Sequence, residues 1–190
     1  CESVAYIFIN TFAGNNSFPM RSLKIFRILS YIMIPIACLF GLMGFLILIP
    51  ALMNPSMWLM LFLFASIVIY TFSSFKFLTT GIERNARCKP SLKDWIKVNA
   101  YVSLVMGGMF FINAIGILSL GPVALSDFVT QMIDAQPNLP KGMKPDFIIS
   151  ILKAVAGFML VASIIIIAHV VLGLGMVKKF GHLFTTTTNQ

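Results

Sequence analysis

Four long apolar runs carry most of this chain, and the charges at their ends decide nearly everything that can be read about its fold. The runs cover about 26–52, 58–80, 96–120 and 147–177. Each exceeds the ~20 residues a helix needs to cross a ~30 Å hydrocarbon layer. Backbone inside lipid must satisfy its own hydrogen bonds, so helices are the form such runs take. The predicted fold class is therefore all-α, an integral membrane four-helix transmembrane bundle.

The charges give the bundle a direction. Only 11% of the 190 residues are charged, against about 25% in soluble domains. When the spans are threaded alternately, Arg21, Lys24, Arg27, Lys76, Arg84, Arg87, Lys89, Lys93, Lys97, Lys178 and Lys179 fall on one side, and only Lys141, Lys144 and Lys153 on the other. The excess of Lys and Arg marks the cytoplasmic face, which predicts cytoplasmic N- and C-termini. The net charge of +8 flanks apolar spans rather than forming a solvated basic face, so nucleic acid is not the expected partner. The expected partners are the lipid bilayer and protein within the membrane, either another protein or further copies of this chain.

Three segments follow: an N-terminal cytoplasmic piece at 1–23, a membrane domain at 24–180 and a polar tail at 181–190. Met20, just before Arg-Ser-Leu-Lys, reads as a translation start, with residues 1–19 an upstream extension or a truncated leader. A lipidated Cys1 would have to lie outside, against the charge bias. Cys38 falls in a span and Cys88 in a reducing loop, so no disulfide is expected.

Local signals refine the spans. Pro35 should kink the first. Ala37 and Gly41, like Ser103 and Gly107 in the third, are small residues four apart, a spacing that lets helices approach closely. Pro50-Ala-Leu-Met-Asn-Pro55 is a tight connection that makes the first two spans an antiparallel hairpin. Trp58 and Trp95 are placed as outer and inner interfacial anchors. Ser91 can cap the third span, with Asp94 near the positive end of its dipole. Between Pro122 and Pro137, apolar Leu125, Phe128, Val129, Met132 and Ile133 recur at helical spacing, predicting a short external amphipathic helix. Pro137, Pro140 and Pro145 then suggest an extended connection. Ala65-Ser-Ile-Val-Ile-Tyr70 echoes Ala162-Ser-Ile-Ile-Ile-Ile167, and Leu23-Lys24 echoes Leu92-Lys93, as a parallel duplication of two hairpins would.

Ionisable and polar residues inside spans are where membrane proteins keep their chemistry. Here Asn113, His169, Tyr70 and Lys153 form the candidate polar site. Lys76 is near enough to the boundary for its stem to stay apolar while its ammonium reaches headgroups. No Asp or Glu lies within a span, which argues against a proton-coupled exporter built on a membrane carboxylate. Haem b usually takes two histidines, and only His169 is at depth. No cofactor is expected. His/Cys/carboxylate spacings for a metal, phosphate loops and nucleophile elbows do not occur, so the expectation is a protein that is not an enzyme.

The span pattern and the phrase Cys-Lys-Pro-Ser-Leu-Lys-Asp-Trp-Ile-Lys-Val-Asn-Ala at 88–100 resemble uncharacterised four-span proteins of Bacteroidota, over residues 21–180. That resemblance implies a bacterial inner membrane and carries no function. The functional expectation is a small accessory or scaffolding subunit of a larger membrane complex. The alternative is a small transporter or channel with a polar site around Asn113 and His169.

Overall fold

A computed structural model describes residues 20–135 and 145–184. Residues 1–19, the segment containing Pro137 and Pro140, and the tail from 185 lie outside the described residues. With them lie the Met20-start, Cys1 and extended-connection readings, apart from Met20 and Pro145 themselves. Among the described residues the chain is helical, with no strand. The helices are α1 (Met20–Met53), α2 (Met57–Lys76), α3 (Pro90–Ser119), α4 (Pro122–Asp134) and α5 (Pro145–Lys179). A π-helix at Phe77–Glu83 continues α2, and a 3₁₀ turn at Gly181–Phe184 follows α5. Four of these helices are long and apolar enough to cross a membrane, as the apolar runs predict.

The chain divides into two compact units. One comprises the residues up to Met106 and from Ile165 onward; the other is Gly107–Ile164. Within the first, α1 buries Phe26, Ser30, Met33, Ala37, Phe40 and Gly44. Their alternating four- and three-residue spacing is the seam of a coiled-coil-like contact. The matching stripe on α2 and its π extension is Phe64, Ile67, Thr71, Ser74, Leu78 and Gly81. The helices interlock through Phe40 and Phe64, with ring centroids 5.5 Å apart, and Tyr31 edge-on to Phe75 at 5.5 Å. Gly44 faces α2, where an added Cβ would make ordinary van der Waals contact, 3.6 Å from the Cβ of Phe64. Ala37, Gly41 and Gly44 are thus used in packing within the chain.

Two boundaries differ from the sequence expectation. The connection between α1 and α2 is Asn54–Ser56 rather than the whole 50–55 stretch, because α1 runs through Pro35 and on through Pro50 to Met53. Long membrane helices tolerate an interior proline where local adjustment re-satisfies the freed carbonyl. Asn54 shapes the turn, its Oδ1 accepting from the Ser56 N–H at 3.1 Å and the Ser56 hydroxyl at 2.8 Å. Helix α3 opens at Pro90, so Ser91 sits inside its first turn instead of capping it. Proline's fixed φ suits the first helical position, where its missing N–H would go unpaired in any case.

In the second unit, α4 covers the predicted amphipathic stretch. Leu125 and Val129 are its buried residues, while Asp127, Thr130, Gln131 and Asp134 are exposed. Phe128, on the apolar side by spacing, is 44% exposed. The two segments of the suggested duplication match only in part in their burial. Ile67 is fully buried where its counterpart Ile164 is 52% exposed, and Ile69 is exposed where Ile166 is buried. Ser66 and its counterpart Ser163 are both buried.

Candidate functional site

The deepest polar cluster of the first unit forms where the stripes of α1 and α2 meet α5. Along α5, Ile166, His169, Val170, Gly173, Met176 and Val177 are buried, a helical face that carries one imidazole. His169 is 1% exposed. Its ring stacks on Phe26, centroids 5.0 Å apart and planes at 14°, and meets Tyr70 edge-on at 5.4 Å. Its Nε2 lies 2.9 Å from the Ser30 hydroxyl, which reaches back to the Phe26 carbonyl at 2.8 Å. Serine has one proton to give. If it goes to the Phe26 carbonyl, Nε2 must carry the imidazole proton and donate to Ser30, leaving Nδ1 as a bare acceptor. The Tyr70 hydroxyl donates to the His169 backbone carbonyl at 3.1 Å. Three helices are thus pinned by two polar contacts and two ring contacts.

Gly173 makes the arrangement possible. A Cβ at that position would lie 2.7 Å from the Tyr70 oxygen, 3.4 Å from Phe26 Cε2 and 3.8 Å from Ser74 Oγ. Only a residue without a side chain leaves room for the tyrosine hydroxyl against α5. His169 Nδ1 is buried with no hydrogen-bond partner, a cost in an apolar interior, while the Ser74 hydroxyl lies beside that of Tyr70. The Ser103 hydroxyl is likewise buried without a partner, whereas Ser66 and Thr71 turn back on their own helices, to the Phe62 and Ile67 carbonyls. That is the usual outlet for Ser and Thr in helix interiors.

Of the four residues singled out by sequence, Tyr70 and His169 are brought together. Asn113 and Lys153 belong to the other unit, and both are exposed. Asn113 does not reach across to a neighbouring helix as its depth in the span suggests. Its amide nitrogen donates to the Met109 carbonyl of its own helix at 2.8 Å. The side chain is long enough to close that four-residue loop and faces outward on α3. Of the packing residues, Ser103 and Gly107 are both buried. Trp58 and Trp95 are half exposed near the starts of α2 and α3.

Sequence reasoning missed Ser30, Phe26 and Gly173. Gly173 had a local signal, four residues after His169 on the same face. Ser30 is 139 positions from its imidazole partner and had none.

The end of this unit where the basic residues gather is also tied down. Arg27 pairs with Glu83 at 2.9 Å. Phe77 stacks on Phe184 at 5.1 Å, and the Cys88 N–H donates to the Leu183 carbonyl at 2.8 Å. The 84–89 loop folds back through Asn85, whose φ of 49° is a left-handed conformation Asn tolerates. The Cys88 sulfur rests 3.0 Å from where a Gly81 Cβ would stand. Burial pushes the Cys88 thiol above its ordinary pKa, with the Lys76 charge partly opposing; such a thiol is a poor nucleophile near neutral pH. Among the described residues no three His, Cys, Asp or Glu side chains gather as a metal site would need. Between α1 and α2 lies an apolar groove of about 310 Å³, lined by residues including Phe40, Gly41, Gly44, Leu61 and Val68. No family model, curated protein or solved structure matches the chain.

Proposed function

We propose that this chain is a non-enzymatic integral membrane protein, a small accessory or scaffolding subunit of a larger membrane assembly. The observation that carries the reading is Asn113. It is an amide exposed on a membrane-length helix, one of its donor hydrogens spent on Met109 and the rest of the group turned outward. An amide facing hydrocarbon gains by meeting a polar group on another helix, a contact worth about 0.6–2 kcal/mol. On the same helix, a Cβ added at Gly108 or at Gly116 would meet no atom within 4 Å, leaving space for another helix to lie close.

The eleven-to-three division of basic residues supports cytoplasmic termini, and the Bacteroidota resemblance supports a bacterial inner membrane. The transport reading draws little from the geometry. Tyr70 and His169 spend their main polar contacts in fastening helices to one another, and Asn113 bonds to its own helix.

Purification in mild detergent tests the proposal. The expected result is co-migration with a larger complex, lost in Asn113→Leu while the isolated subunit keeps its helicity. A monodisperse monomer with no partner by mass spectrometry overturns it.

A further inference from the structure

The first unit carries a lopsided charge. Its described residues hold eleven Lys and Arg but only Glu83 and Asp94 as acids, and Glu83 is already paired with Arg27. The described residues of Gly107–Ile164 are the reverse, with Lys153 against Asp127, Asp134 and Asp146. A basic rim alone is what any protein obeying the charge rule shows. What distinguishes this one is the register between its cations and the apolar surface beside them.

Exposed Arg21 and Lys24 stand four residues before Ile25 and Ile28, which are 49% and 60% exposed. Exposed Lys97 stands four before Tyr101, 49% exposed, and exposed Lys76 four after Phe72, 53% exposed. Residues four apart are neighbours on one helix face. On three helices, therefore, a cation stands next to an outward apolar residue that lies toward the middle of the span. Tyr31, 53% exposed, extends the surface on α1. A soluble acidic partner would meet the charges but not the apolar residues next to them. A phospholipid meets both, phosphate at the cation and acyl chain along the apolar side chain.

We infer that this collar binds anionic phospholipids of the adjacent leaflet in preference to zwitterionic ones, with Arg21, Lys24, Lys76 and Lys97 holding the headgroups against Ile25, Ile28, Phe72 and Tyr101. Clustered Lys and Arg next to a span draw acidic lipid in this way. The inference does not depend on the accessory-subunit reading.

The chain's two tryptophans supply the test. Trp95 lies two residues before Lys97, whereas Trp58 stands near the start of the 20-residue helix that ends at Lys76, about 27 Å away along it. Each is isolated by Trp→Phe at the other and reconstituted into mixed phosphatidylglycerol–phosphatidylcholine vesicles in which one lipid or the other carries brominated, fluorescence-quenching chains. The expected result is that brominated phosphatidylglycerol quenches Trp95 at least about twofold beyond its share of the bilayer, while Trp58 sees the two lipids equally. The excess falls away in high salt, and also in R21Q/K24Q/K76Q/K97Q. Circular dichroism and unaltered Trp58 quenching show that this variant is still folded and inserted. Equal quenching of Trp95 by the two lipids overturns the inference. So does an equal excess at Trp58, or an excess at Trp95 that the four substitutions leave unchanged. Abolition of the excess by inorganic phosphate at fixed ionic strength also overturns it, assigning the rim to a free anion instead.

Discussion

The surroundings of His169 and those of Asn113 use similar residues in opposite ways. Around His169, glycine is obligatory: a side chain at Gly173 would strike the Tyr70 hydroxyl at 2.7 Å. Around Asn113, Gly108 and Gly116 have empty space where a side chain would point. The imidazole is covered and bonded to another helix, while the amide is exposed and bonded to its own. The first region is complete within the chain. The second has the polarity and the open surface of a contact still to be made, which is why a partner is inferred there.

The largest expected effect is at Gly173. Gly173→Ala forces a Cβ against a rigid ring whose hydroxyl is held by the His169 carbonyl, and overpacking of this kind costs about 1–3 kcal/mol. Gly108→Ala and Gly116→Ala meet nothing and should be neutral or slightly stabilising, since alanine is the better helix former by ~1 kcal/mol. Thermal unfolding in detergent compares them directly. Tyr70→Phe deletes the oxygen that the new Cβ strikes, so Gly173→Ala should cost less in that background. Equal cost in both backgrounds, or equal tolerance at Gly173 and Gly116, removes the contrast.

Next in size is the paired substitution of the two polar groups. His169→Leu strips Ser30 of its cross-helix partner and removes the Phe26 stack, with an expected loss of about 1–3 kcal/mol in the isolated protein. Asn113→Leu should leave the isolated protein within about 0.5 kcal/mol of its starting stability and act only on assembly. If Asn113→Leu unfolds the protein as readily as His169→Leu, the amide is structural and the partner reading loses its basis.

This division also marks how far the sequence could be read. The spans were legible because apolar length and terminal charge are local properties, and α4 was legible because its apolar residues alternate with polar ones at helical spacing. The rotation of α3 was not. A helix apolar on nearly every side carries no stripe to say which face is covered, so the outward direction of Asn113 was not legible. The partnership of His169 with Ser30 joins helices at opposite ends of the chain. Tyr70 with His169 could be nominated only because both are unusual at depth.

A smaller effect is expected at Cys88, on the bound side of the comparison. Burial raises its thiol pKa, so the thiolate is scarcer than in a free cysteine near neutral pH. Maleimide labelling of Cys88 should run several-fold slower than that of a small thiol and should climb with pH beyond the range where an ordinary thiol has levelled off. Gly81→Ala, which crowds the sulfur at 3.0 Å, tests whether the loop is held as described. Faster labelling in that variant is expected, because the sulfur must move out from the π-helix. Labelling of the unsubstituted protein at free-thiol rates would mean that the loop stands open.

The smallest effect belongs to the ion pair that fastens α1 to the end of the π-helix. Arg27 and Glu83 are 2.9 Å apart, but their side chains are 50% and 30% exposed, and exposed pairs contribute about 0–1 kcal/mol. A double-mutant cycle with Arg27→Gln and Glu83→Gln should therefore give a coupling energy below ~1 kcal/mol that shrinks as salt is added. The single changes should differ in another respect. Glu83→Gln removes one of the two acids among the described residues of a strongly basic unit, and so should strengthen the excess quenching of Trp95 by anionic lipid; Arg27→Gln should weaken it. A coupling of several kcal/mol would instead make this pair, rather than the His169 contacts, the main fastening of the unit, and would place the rim above the buried cluster in the order of effects.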